Sequence, residues 1–262
     1  MAVVFPTYHS NENFNKLGIF RSAVANQFRL WIDAVVPYEI DGQFDSKERQ
    51  IILTTIDRIH ETTCVRFLPR TNEVDHVLIF RGKGCYSNVG KQGGCQNVSL
   101  DRGCMHHEVI VHELMHALGF WHEHSRHDRD DYVTIKWQNI DEIYHDQFQK
   151  VERAKMDDLD ELYDYFSIMH YGSKAFSSNG ENTIEANNPA FTKFLGKSID
   201  LSEVDISKVR KLYKCHKSTT TGYETLSTTI KPKGTDLFNC EISAPPSPLL
   251  GCRPLRHPVT SL

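Results

Sequence analysis

Three histidines follow one another at a spacing that suits a single metal ion, in the pattern His112-x-x-x-His116-x-x-Gly119-x-x-His122. Residues four apart share one face of a helix, so the imidazoles of His112 and His116 point the same way. On a continuing helix His122 would lie about 240° around the axis from His116, but a glycine in the left-handed conformation ends a helix and turns the chain back. Three nitrogen ligands with one position left for water are typical of catalytic zinc. The spacing therefore predicts one catalytic Zn²⁺ held by His112, His116 and His122.

A carboxylate next to this ion could act as a base. Glu113 lies a step of about 100° around the helix from His112, close enough to stay beside the metal. Zinc lowers the pKa of a bound water to about 7, and a neighbouring carboxylate can take the proton and pass it to a leaving amine. We therefore expect Glu113 to be the general base of a hydrolase. The nearby pair His107-Glu108 does not repeat the spacing and is predicted to form no metal site.

A second motif lies downstream, in the segment Ser167-Ile168-Met169-His170-Tyr171. A long histidine motif followed by a methionine turn is the signature of the metzincin metallopeptidases, and both parts are present. The separation between His122 and Met169 suits a lower lobe that closes beneath the metal.

Hydrophobic periodicity predicts the elements that must position these residues. Helices are expected from the cap at Asp45 to about Glu61, from about Met105 to Leu118, and from the cap at Ser202 through Tyr213. Short apolar or β-branched runs predict strands over residues 35–40, 65–68, 77–80 and 97–100.

Composition excludes several classes of protein. The chain has 262 residues, 39% of them apolar, and a formal net charge of -4, which allows one sizeable core. A balance of 30 basic to 34 acidic residues gives no reason to expect a nucleic-acid partner. No apolar run approaches the roughly 18–20 residues of a membrane span, so we expect none.

Cysteine usage indicates an oxidising compartment. The seven cysteines include no C-x-x-C pair, and their wide spacing favours disulfides over a zinc ribbon. Asn97-Val98-Ser99 is an N-glycosylation sequon, as in a secreted glycoprotein. The segment Met1–Pro6 does not fit this expectation, because it is too short for a signal-peptide core and lacks a basic flank. Either the sequence omits the true N-terminus or export is not supported by this end of the chain.

Taken together, these motifs resemble the astacin family of zinc metalloendopeptidases, over roughly residues 22–215. The blocks that carry the resemblance are Thr63–Phe67, Gly84–Ser87, His112–His124, Arg126–Val133 and Ser167–Tyr171. The resemblance implies an α+β, two-lobed metzincin catalytic domain. Its upper lobe would contain a twisted mixed β-sheet and helices, and its irregular lower lobe would carry a C-terminal helix.

The resemblance also implies roles that the spacing alone does not. Tyr171 would be a fifth, displaceable metal ligand and a catalytic residue that supports the transition-state oxyanion. Disulfides would join Cys64 to Cys215 and Cys85 to Cys104. The pairing of the other three cysteines stays open: Cys240 and Cys252 pair with each other, or one of them reaches Cys95, and one thiol is left over.

The family's members are zymogens, and three segments are expected on that basis: a truncated or divergent prosegment (residues 1–21), the catalytic domain (residues 22–215) and a Ser/Thr/Pro-rich flexible tail (residues 216–262). Cleavage after Arg21 would free the amino group of Ser22, which the resemblance directs inward toward Glu123.

The sequence thus predicts a secreted, monomeric zinc endopeptidase that acts on protein or peptide substrates. A catalytically silent zinc-binding extracellular protein is one alternative, and an interaction protein driven by the tail is another. Lys174 or Arg81 could favour acidic substrate side chains, although ordinary surface charge is the favoured interpretation for both.

Overall fold

The computed structural model describes residues 21–215. In chain order, the strands of this part are β1 (Arg21–Val24), β2 (Val35–Ile40), β3 (Arg66–Pro69), β4 (His76–Phe80), β5 (Cys85–Ser87), β6 (Cys95–Leu100), β7 (Val133–Ile135), β8 (Met156–Asp157) and β9 (Ile184–Ala186). Five of them form one sheet in the order β3-β2-β4-β6-β5. Its first four strands run parallel and β5 is antiparallel at the edge. The sheet is therefore mixed, as expected.

The three predicted helices are present as α1 (Ser46–Thr62), α2 (His107–Leu118) and α3 (Glu203–Leu212). Helix α1 begins with the predicted capping box, in which the Asp45 side chain accepts from the N–H of Glu48 and the Glu48 side chain accepts from the N–H of Asp45. Helix α2 begins two residues later than Met105 because residues 102–104 form a separate 3₁₀ turn. The ends of the helices were therefore predicted to within about two residues.

Two hydrophobic cores correspond to two lobes. The upper core unites the sheet with one face of α1 and of α2, and its buried members include Val36, Ile79, Ile56, Leu114 and Val209. Val209 belongs to α3, so the C-terminal helix packs against this upper core. The lower core lies among 3₁₀ turns and the β7–β9 ribbon, and its members include Val133, Phe148, Tyr163, Tyr171 and Ile184. This is the predicted α+β architecture, with a regular upper lobe and an irregular lower one.

Both predicted disulfides are present. Cys64 is bonded to Cys215 and Cys85 to Cys104, across separations of 151 and 19 residues. Cys95 is also disulfide-bonded. Cys240 and Cys252 lie outside the described residues, as do the predicted prosegment through residue 20 and the predicted tail.

Two further sequence-based expectations concern the surface. Asn97 of the sequon lies in β6 opposite Leu78 and is half-buried, which is not the loop setting usual for a glycan, so glycosylation stays a prediction. Within residues 21–215, no helix is both long and apolar enough to cross a bilayer.

Candidate active site

Helix α2 carries the first two histidines of the motif into the interior. The side chains of His112 and His116 are buried, at 1% and 0% exposure. Gly119 ends the helix with φ of 110°, and its N–H donates to the carbonyl oxygen of His116. A β-carbon at Gly119 would lie 2.8 Å from Cγ2 of Val24, so glycine is required here by both backbone and packing.

The turn at Gly119 brings His122 back to the other two imidazoles. Its Nε2 lies 3.2 Å from Nε2 of His112 and 3.2 Å from Nε2 of His116. Ligand atoms of all three residues lie within 4.8 Å of one another. The predicted return of His122 to the other two histidines is therefore present in the structure.

Backbone carbonyl oxygens orient the imidazoles of His112 and His116. Nδ1 of His112 lies 2.8 Å from the carbonyl oxygen of Ile168, and Nδ1 of His116 lies 2.7 Å from that of Phe120. These Nδ1–H groups therefore donate, which leaves both Nε2 lone pairs directed at the centre. Burial also lowers the pKa of His112 to about 4, so its ring is neutral at physiological pH and free to bind a cation.

Two acidic groups lie buried beside the histidines without a partner. Neither carboxylate oxygen of Glu113 has a hydrogen-bond partner within the described part of the chain, and neither does the hydroxyl of Tyr171. Burial raises the pKa of Glu113 to about 8 and the pKa of Tyr171 above its ordinary value. Buried polar groups are normally satisfied, so such unpartnered groups mark a place where another molecule binds.

The methionine turn is held in place by a residue of the capping box that begins α3. Asp205 in the first turn of α3 accepts from the hydroxyl of Ser167 at 2.7 Å and from the N–H of Ile168 at 2.9 Å. The Met169 carbonyl oxygen, in turn, accepts from the N–H of Glu123 at 3.0 Å. The capping box of α3 therefore also joins the C-terminal helix to the turn beneath the histidines.

Glu123 has an internal partner that the sequence did not suggest. Its carboxylate is buried, accepts from the N–H of Asp164 at 2.9 Å, and lies 2.7 Å from Nζ of the buried Lys208. Arg126 approaches the same carboxylate at 3.5 Å. The expected pairing of Glu123 with the amino group of Ser22 concerns a cleaved chain and stays a prediction.

The donor set fits a zinc ion. Two nitrogens each about 2.0–2.1 Å from a tetrahedral ion lie about 3.3 Å apart, close to the 3.2 Å between the Nε2 atoms. Imidazole nitrogens suit zinc, whereas magnesium and calcium prefer oxygen. With three protein ligands, one coordination position remains for water or substrate.

Comparison with known proteins identifies the family. The family model described as Astacin, a peptidase family, matches residues 23–214. This chain belongs to the astacin family. Zinc metalloproteinase nas-6 of Caenorhabditis elegans is 50% identical over 194 residues, which cover 74% of this chain and 56% of the relative. Zinc metalloproteinase nas-8 of Steinernema carpocapsae is 43% identical over 201 residues, which cover 76% of this chain and 48% of the relative. The chain spans about half the length of these curated astacin relatives.

A solved astacin-type structure agrees with the fold. High choriolytic enzyme 1, a hatching enzyme zinc-protease from Oryzias latipes, superposes with a TM-score of 0.66 at 36% identity, over 79% of this chain and all of that one. Family membership and the histidine cluster together confirm the predicted resemblance to the astacin family, the predicted fold class and zinc as the cofactor.

Proposed function

We propose that this chain is a zinc-dependent endopeptidase that hydrolyses peptide bonds of proteins or peptides. The observation that carries the proposal is the convergence of three histidine nitrogens beside two buried groups, Glu113 and Tyr171, whose carboxylate and hydroxyl have no hydrogen-bond partner among residues 21–215. A site that held zinc only for structure would gain nothing from an unpartnered buried carboxylate, which costs free energy. The arrangement therefore favours an enzyme over a catalytically silent zinc-binding protein.

The metal would be held by Nε2 of His112, His116 and His122. When bound, zinc supplies a Lewis acid that polarises a scissile carbonyl and eases deprotonation of water. The backbone carbonyls behind His112 and His116 fix the tautomer that this binding needs.

Glu113 would move the protons of the reaction. Its carboxylate would take a proton from the attacking water and deliver it to the departing amine. Burial alone raises the pKa of this carboxyl, and a zinc ion bound beside it would favour the ionised form, which is the form that accepts a proton.

Tyr171 would act on the oxygen of the scissile carbonyl. Burial raises the pKa of its phenol, which keeps the hydroxyl protonated and able to donate a hydrogen bond to that oxygen. The same hydroxyl is the fifth metal-binding group implied by the sequence resemblance.

We also propose the compartment, the division of the chain and the oligomeric state in which the protein acts. Disulfides support folding in an oxidising compartment and hence secretion. Residues 22–215 would form the catalytic domain, with residues 1–21 as prosegment and residues 216–262 as tail. The protein would act as a monomer on protein or peptide substrates.

Replacement of Glu113 tests the proposal directly. In Glu113→Gln we expect zinc content equal to that of the wild type and peptidase activity lower by about 10²–10⁴-fold, since the proton-transfer group is lost. Activity is measured on an unfolded protein substrate with and without a chelator, and zinc by elemental analysis. Glu61→Gln, an equal charge change at an exposed position of α1, should leave activity unchanged. Wild-type turnover in Glu113→Gln would contradict the base assignment.

A further inference from the structure

A cavity of about 240 Å³ opens beside the histidine cluster. His112 and Tyr171 form part of its wall, so the cavity is continuous with the place where a scissile bond would lie. Other wall residues are Glu108, Phe176, Gly196 and Ser198. A substrate side chain that flanks the scissile bond could therefore enter it.

Among the cavity-lining residues in the described range 21–215, Glu108 supplies the only carboxylate. It lies in the first turn of α2, four residues before His112, and therefore on the same face of the helix as the histidines. No ion pair joins Glu108 to another residue of the described part of the chain, in contrast to its neighbour His107, whose Nε2 lies 3.1 Å from Oδ1 of Asp200.

The rest of the wall, as far as residues 21–215 form it, carries no cation that could pair with Glu108. None of its residues is lysine or arginine, and both ring nitrogens of His170 are already engaged, by the hydroxyl of Tyr163 and the carbonyl of Tyr171. Lys174, considered above for acidic substrates, is exposed and does not line the cavity. Arg81 is 2.6 Å from Glu48 in an ion pair and is likewise not part of the wall.

The apolar part of the wall complements the carboxylate. Ile168, Ala175 and Phe176 give a surface along which an alkyl chain can lie. Lysine and arginine bury such stems against apolar surface while the charged end reaches a polar partner.

We propose that this cavity accepts a lysine or arginine side chain next to the scissile bond, with Glu108 as the carboxylate that selects it. The inference rests on the proposed peptidase activity and names its substrate class. A glutamate or aspartate side chain would be rejected, because like charges brought together in a partly desolvated pocket repel.

Peptides that differ at a single position test the specificity. A position-scanning peptide library is digested by the full chain loaded with zinc, and kcat/KM is compared for lysine, glutamine and glutamate at each flanking position. We expect one position at which lysine exceeds glutamate by about tenfold or more, the size of effect expected for one charge pair in a partly desolvated site. Glu108→Gln should remove most of this ratio while still cleaving the glutamine peptide, and Glu108→Lys should invert it. Glu61→Gln should keep the wild-type ratio.

Binding gives a second readout that does not depend on turnover. Zinc-loaded Glu113→Gln should bind a lysine peptide about tenfold more tightly than its glutamate counterpart by calorimetry, and the added Glu108→Gln change should abolish the difference. A preference for acidic side chains, or a basic preference that survives Glu108→Gln, would overturn the inference and leave the peptidase proposal intact. Failure to cleave any peptide, with the binding preference present, would instead count against the peptidase proposal alone.

Discussion

Tyr171 shows how single residues of this site are held for their roles. Its ring stacks on His124 with centroids 4.0 Å apart and lies 4.3 Å from the ring of His122. Nε2 of His124 is engaged in turn by the carbonyl oxygen of Gln147 at 3.0 Å. Aromatic neighbours therefore position a phenol whose hydroxyl has no hydrogen-bond partner within the described residues.

Removal of that hydroxyl should affect chemistry more than binding. In Tyr171→Phe we expect kcat to fall by about 10²–10³-fold, the usual loss of one oxyanion donor, with KM and zinc content nearly unchanged. Steady-state kinetics with elemental analysis measures all three quantities. Tyr132→Phe removes a hydroxyl from a residue packed against the lower core and serves as the control. An unchanged kcat in Tyr171→Phe would exclude the proposed role.

Among the secondary-structure elements, two connections support the site. Gly119 ends α2 and allows His122 to return, whereas Asp205 at the start of α3 holds the turn that contains Met169. Neither residue is itself a proposed ligand. Each places a segment that carries one.

The first connection, the turn at Gly119, predicts that an added methyl group lowers stability. Gly119→Ala should lower the free energy of unfolding by about 1–3 kcal/mol, because alanine is strained at φ of 110° and its β-carbon would meet Val24. Zinc binding should weaken as well, since His122 follows the turn. Urea unfolding and zinc titration measure the two effects. Gly42→Ala adds the same methyl where nothing lies within 4 Å and should be tolerated. Equal stability of the two variants would contradict the assigned role of the turn.

The second connection, through Asp205, predicts that the free energy of unfolding depends on pH. Burial raises the pKa of Asp205 from 3.8 to about 6, so the folded chain keeps a proton at pH values where the unfolded chain has lost it. The stability this group contributes is therefore present below about pH 4 and is lost as the pH rises to about 6. Relative to Asp205→Asn, the wild type should lose about 3 kcal/mol of unfolding free energy across that window.

Urea unfolding of both proteins at a series of pH values, with chelator present so that metal release does not contribute, measures the difference. Parallel pH profiles for the wild type and Asp205→Asn would show that the carboxyl is not perturbed in the folded state.

At the scale of the whole molecule, one covalent link closes the described domain. The bond between Cys64 and Cys215 joins the strand region after α1 to the residue that follows α3, across 151 residues. Helix α3 carries Asp205 and Lys208, whose side chains reach the methionine turn and Glu123. The link therefore secures an element on which the site depends.

The lengths of the two described disulfide loops predict unequal effects. Replacement of Cys64 and Cys215 by alanine should lower the unfolding free energy by about 5 kcal/mol, and replacement of Cys85 and Cys104 by about 3 kcal/mol, because a longer loop restricts the unfolded chain more. Chemical denaturation of the two double variants gives the comparison. A larger loss from the shorter loop would mean that loop entropy is not the main contribution.

Local signals were sufficient for the three helices and for the histidine cluster. The capping residues of α1 and α3 and the spacing of their apolar residues located both helices, because caps and periodicity act within a few residues. Strands β1, β5, β7, β8 and β9 were not predicted. They are two to four residues long, and β1, β7, β8 and β9 pair with partners distant in the sequence.

By itself, the sequence determined that three histidines could meet at one metal ion. The helical repeat and one glycine turn relate His112, His116 and His122 over only eleven residues. Only the tertiary structure decided which groups surround the cluster. Asp205 and Lys208 reach the methionine turn and Glu123 only through the packing of α3, and no local pattern encodes which carboxylate becomes buried or which amino group reaches it. Such contacts join residues up to 85 positions apart, and they form only when the two cores assemble.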